Sequence, residues 1–88
     1  MDRIRWQQDH VAGVPLNRHV GFVGPIEVGS VAYDGSNRFW IWSTSLQEDA
    51  WGHGPTEQAA KAALGVWLVS WLGNFRSFLQ TGGEPPSA

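Results

Sequence analysis

The chain has 88 residues, six tryptophans, no cysteine and a formal net charge of −2. That length gives one domain with a small core, and a charged share of 16% against roughly 25% in a typical soluble domain predicts apolar surface left over after folding. The lack of cysteine excludes disulfides, thiolate zinc sites and thiol nucleophiles, and six scattered Lys and Arg argue against a phosphate-binding stripe.

Residues 1–18 read as an irregular N-terminal arm, with room for a short strand around Ile4 to Gln7, because Gly13 and Pro15 break any period. No apolar run follows the charged start, which predicts no secretory signal and a cytoplasmic protein. His19 to Val23 alternates as a strand does, and Ile26 to Tyr33 does so more clearly, setting Ile26, Val28, Ser30 and Ala32 against Glu27, Gly29, Val31 and Tyr33. Gly24-Pro25 between them is either a tight turn or a bulge in one bent strand.

Asp34-Gly35-Ser36-Asn37 is the strongest turn signal and predicts a hairpin. Its second strand, Arg38 to Leu46, puts Trp40, Trp42 and Leu46 on the face that belongs in the core. Ala50-Trp51-Gly52-His53 supplies one more short strand before Pro55. Thr56 then caps a helix, Glu57 lies at its positive end, and the alanines that follow favour it.

The helix stripe is Ala60, Ala63, Leu64, Trp67, Leu68, Trp71, Leu72, Phe75, Phe78 and Leu79. It ends at Gly73 with a left-handed cap and restarts as a short turn, or continues bent toward Leu79; propensity favours the first and periodicity the second. Small residues Ala62, Gly65, Val69 and Gly73 run beside the stripe. The apolar run Leu64 to Leu72 falls short of the roughly 20 residues that cross a bilayer, so no membrane partner is expected. Residues 81–88, rich in Gly and Pro, read as a disordered tail. The fold class is α+β: one domain over 1–80, with an antiparallel sheet of three to four strands packed on one main C-terminal helix.

No catalytic, cofactor-binding or metal-ligating set stands out. His10, His19 and His53 lack ligand-motif spacing toward Asp9, Asp49 or Glu57, and none of Ser43, Thr44, Ser45 and Ser70 sits on a strand-to-helix elbow with a base nearby. The stretch from Gly21 to Gly29 fits neither a dinucleotide fingerprint nor a P-loop, so its glycines are expected to accommodate tryptophans crossing the sheet. Trp40 and Trp42 share a strand face and Trp67 and Trp71 a helix stripe, which predicts that they meet across the sheet–helix interface in a tryptophan-rich core. An exposed patch of Val66, Trp67, Val69, Trp71 and Phe75 is the candidate interaction surface.

Gly52, Gly54, Thr56, Ala59, Ala60, Ala63 and Leu64 resemble the strand, turn and capped helix of the C-terminal half of double-stranded RNA-binding domains. The basic pair such domains place after the cap is replaced here by Glu57 and Gln58, so the resemblance implies topology without the activity. With Trp40 to Leu46 included, the segment also resembles HicB-type antitoxins, which set a three-stranded sheet against a helix. Over most of its length the chain is similar to small uncharacterised proteins encoded in phages and prophages.

These readings converge on a non-enzymatic protein-interaction module, phage-related by resemblance. It acts through a protein partner or by self-association, with a dimer favoured and no cofactor. The alternative is a nucleic-acid-binding or antitoxin-like domain, which would need Arg3, Arg5, Arg18, Arg38 and Lys61 on one face. A small enzyme would need His19 or His53 in a cleft beside Asp49 or Glu57. The helix is apolar over more than one face, and either the arm around Ile4 and Trp6 or a second copy packing on Gly65, Val69 and Gly73 would cover the remainder.

Overall fold

A computed structural model describes residues 4–76. Five strands form one antiparallel sheet in the order β1-β2-β3-β4-β5: β1 Arg5–Val11, β2 Val14–Val23, β3 Ile26–Asp34, β4 Phe39–Thr44 and β5 Trp51–Gly54. One helix, α1 Glu57–Gly73, follows and packs on β3, β4 and β5. The α+β class is as expected, but the sheet has five strands rather than three or four.

The additional strand comes from the segment read as an irregular arm. Residues 5–11 and 14–23 pair as a hairpin, closed by Ala12 and Gly13 at φ 51° and 80°. Two positive φ values in a two-residue loop are the twist a tight hairpin requires. Ala12 adopts one of them without the usual Gly or Asn, so the turn carried no strong sequence signal. Pro15, which has no amide to donate, is accommodated next to this turn, opposite His10.

Gly24-Pro25 is a tight turn, with Gly24 at φ 59° and Val23 paired to Ile26. One bent strand with a bulge at Gly24-Pro25, the alternative, is not what forms; a bulge lies elsewhere, where the register shifts between Gly21 and Phe22 and leaves one extra residue on β3. Alternation predicted from Ile26 to Tyr33 therefore breaks, and Val28 is buried alongside Gly29. At the β3–β4 turn, Asp34 Oδ1 accepts from the amides of Ser36 and Asn37, and its Oδ2 accepts from the Asn37 side chain at 2.9 Å. The Asn37 side-chain hydrogen bond leads in holding the Asp34 carboxyl below its ordinary range. The positive φ of this turn falls on Arg38 (60°), not on Gly35 or Asn37.

The β4–β5 connection is tied to β3 by side chains. The Thr44 hydroxyl donates to the Val28 carbonyl at 2.6 Å and accepts from the Leu46 amide, while Ser45 donates to the Glu27 carbonyl. Thr56 caps α1 as expected, accepting from the Ala59 amide at 3.0 Å. The helix ends at Gly73, yet without a left-handed cap: Asn74 is right-handed at φ −65°, and its amide and that of Phe75 donate back to Trp71 and Leu72. Phe78, Leu79 and the tail at 81–88 lie outside the described residues.

The buried core is Val28, Val31, Ala50, Ala60, Leu64 and Leu68, with Val31 and Leu64 fully enclosed. It contains no tryptophan, which corrects the expectation of a tryptophan-rich core. Trp6, Trp40, Trp42, Trp67 and Trp71 are half-buried around its margin, and Trp51 is exposed. The margin suits indole, which is too large to enclose fully in a sheet of short strands with one helix. Glycines make the floor these side chains need: a Cβ on Gly21 would meet Trp6, and one on Gly52 would meet the Trp42 ring 2.6 Å from Nε1. At Gly29 a Cβ would collide with the Ser43 carbonyl and stand 2.9 Å from Leu64 Cδ2, so α1 lies directly on bare backbone.

Candidate functional site

The geometry that matters begins where α1 outruns the sheet. Leu64 sits over Gly29, which pairs with Thr44 in the last rung of the β3–β4 ladder. The turns beyond Leu68 therefore have little sheet beneath them. Leu72, assigned by periodicity to the core stripe, is 51% exposed, and Phe75 is 43% exposed.

The predicted patch divides into two surfaces. Trp67, Trp71 and Phe75 occupy one flank, stepping out from Trp42 in a ladder whose successive ring centroids are 6.4, 5.9 and 5.1 Å apart. The expected contact between a hairpin and a helix tryptophan is thus made by Trp42 and Trp67. Val66 and Val69 lie elsewhere, 71% and 64% exposed on the outer side of the helix.

On the other flank, a groove of about 910 Å³ separates α1 from the β1–β2 side of the sheet. Its walls are Ile4, Trp6 and Val23 from the sheet side and Val66, Val69 and Leu72 from the helix, with Gln58 and Lys61 at one end. Sequence reasoning missed Val23 and Leu72 here. Leu72 has the period of a core residue, and nothing local marks Val23, whose place depends on how the β2–β3 hairpin projects past the ladder. Ile4 and Trp6 do reach the helix, as the arm reading allowed, but they wall the groove and leave Val66 and Val69 open.

Lys61 lies 5.1 Å above the Trp6 ring and binds Glu57 at 2.6 Å, while His19 Nε2 stands 3.4 Å from the same Glu57 oxygen. This half-buried knot is the one place where a histidine named in the enzymatic reading meets a carboxylate. The Lys61 hydrogen bond holds the Glu57 carboxyl below its ordinary range, helped by the charges of Lys61 and His19 and opposed by burial. A general base works best with a pKa near the operating pH, and Glu57 is shifted away from it. His53 is instead stacked on Phe39 at 4.4 Å with the rings 7° from parallel. Among the described residues, no three His, Asp or Glu side chains are grouped to hold a metal ion.

The basic residues do not share a face. Arg5 lies over the Phe22 ring and Arg18 pairs with Asp9 at 2.7 Å, both on the helix-free side, whereas Lys61 is committed to Glu57 on the helix side. Arg38 is at the β3–β4 turn, and Arg3 is outside the described residues. No described helix is long and apolar enough to cross a membrane. No family model matches the chain, and no curated protein or solved structure matches it significantly.

Proposed function

We propose that the protein is a non-enzymatic interaction module that docks protein surface on the apolar half of α1 and the groove beside it. One observation carries this reading: Val23, Ile26, Val66, Val69 and Leu72, between 37% and 71% exposed, belong to the C-terminal half of α1 and the adjoining β2–β3 hairpin end. Large apolar side chains gathered in the open on one part of a surface are the mark of an interaction site. The split basic residues and the ion-paired Glu57 support it over nucleic-acid binding and over acid–base chemistry. The phage-type setting of the proposal rests on the sequence resemblance.

Selection of a displayed peptide library against the protein tests the reading, with the Leu72→Asp and Val23→Asp variants as comparison. Peptides with apolar anchors should bind the wild type at micromolar concentration and lose at least tenfold on either variant. Equal binding to all three proteins would place recognition elsewhere and refute the reading.

A further inference from the structure

The two edge strands of the sheet are built differently. β1 carries Arg5 and Asp9 and a register shift between Gln8 and His10. Charges and irregular pairing are how natural sheets keep another strand from adding to an edge. β5, Trp51-Gly52-His53-Gly54, has no Lys, Arg, Asp, Glu or Pro, and it pairs with β4 without a shift. Shortness is the one such device it has. Alternate residues along it turn their N–H and C=O groups away from β4. Beyond the ladder to β4, no hydrogen bond from the described residues reaches Trp51–Gly54.

Both faces beside this edge leave room for a further strand. On the helix side β5 presents only Gly52 and Gly54, opposite Trp42 and Trp40. The first turn of α1 closes over Gly54, where a Cβ would stand 3.1 Å from that of Ala59. Gly52 is reached instead by the Trp42 ring, whose Nε1 lies 2.6 Å from where a Cβ would be. That ring thus extends from β4 across β5, toward the open side. Its N–H has no acceptor among the described residues and is not a buried atom, and an indole N–H that becomes covered needs an acceptor. Trp67 and Trp71, each half-buried, continue the wall from Trp42 along α1. On the helix-free side Trp51 is 62% exposed, with the exposed His53 two residues along the same face.

These groups define what can cover them. The covering chain must be extended, to meet backbone groups at alternate residues. It must bring a carbonyl within reach of Trp42 and set a large apolar side chain opposite Gly52, where β5 has none. We propose that β5 is a docking edge for an extended, uncharged segment of a partner protein, added as a sixth strand with an apolar side chain seated against Trp42 and Trp67. The site lies on the opposite flank of α1 from the groove and does not depend on it. Four residues make a short ladder, so a single peptide should bind with a dissociation constant on the order of 100 μM.

The probe is a fluorescein-labelled peptide of three Thr-Leu repeats with a lysine at each end, titrated by anisotropy against the full chain up to about 1 mM. Binding should saturate, and hydrogen exchange at the β5 amides should slow while that at β1 does not. N-methylation of one alternate set of peptide amides should weaken binding at least tenfold, and of the other set by less than about threefold, because a strand pairs through one of its edges. Trp51→Lys, at an exposed position, should weaken it at least tenfold with the far-UV spectrum unchanged, since an edge lysine opposes strand addition. Leu72→Asp and Val23→Asp should bind as the wild type does. No binding over the titrated range overturns the proposal, as do equal losses from both methylation patterns or protection that appears at β1. So does a wild type that dimerises in sedimentation with its own β5 amides protected, which would make a second copy the occupant. Loss of binding on Leu72→Asp would transfer the peptide to the groove, sinking the edge site alone and leaving the interaction reading standing.

Discussion

Replacing Leu64 with Ala tests whether α1 is held by the small aliphatic core rather than by the tryptophans around it. Leu64 is fully enclosed and packs on the bare backbone of Gly29, where no neighbouring side chain can swing in to refill the space. Removing three buried carbons forfeits about 2.4 kcal/mol of transfer free energy at roughly 0.8 each. A cavity that relaxes only partly adds on the order of 1 kcal/mol. The expected loss is about 3–4 kcal/mol, against a total stability of roughly 4–13 kcal/mol for a chain of this size. Urea titration followed by tryptophan fluorescence reads it directly, because Trp42 and Trp67 report whether helix and sheet remain together. With a slope of about 1 kcal/mol per molar, the midpoint should fall by at least 2 M. Val66→Ala, at an exposed position, should change stability by no more than about 0.5 kcal/mol. A loss below about 1 kcal/mol at Leu64 would refute the argument and transfer the stability to the tryptophan margin.

Ala12→Gly should raise stability by about 0.5–1 kcal/mol, or a few degrees in thermal midpoint, by relieving a left-handed alanine in the β1–β2 turn. Destabilisation there would show that the turn is not of this form. Gly29→Ala should cost about 1–3 kcal/mol, because its Cβ meets the Ser43 carbonyl, a backbone atom that cannot rotate away; a neutral result in calorimetry would contradict the close seating of α1. The Glu57 carboxyl is lowered from 4.5 in the folded state, so its contribution is fully present above that pH and is lost as pH falls through the lower folded value. Urea midpoints measured from pH 3 to 7 should therefore fall more steeply on the acid side for the wild type than for Glu57→Gln, and identical slopes would show that the Lys61 pair contributes nothing.

Local chemistry wrote much of this fold into the sequence. Thr56 and the alanines after it set the start of α1, Asp34 set the β3–β4 turn through hydrogen bonds to its own backbone, and the alternation of Trp40 and Trp42 placed them on the helix side. Each depends on residues within a few positions of one another. The β1–β2 hairpin escaped because Ala12 adopts a conformation its side chain disfavours, an arrangement stabilised by the strands on either side rather than announced by the turn.

The candidate surface was legible only in part for a related reason. Val66 and Val69 stand off the core stripe by periodicity alone, but the exposure of Leu72 depends on where the β3–β4 ladder stops beneath the helix. Val23 joins them through the length of the β2–β3 hairpin, and Val28 entered the core through a one-residue bulge. Helical and strand periods are properties of a segment and can be read from it. Which faces find a covering layer depends on the relative lengths and register of distant elements, and only the packed structure decides that.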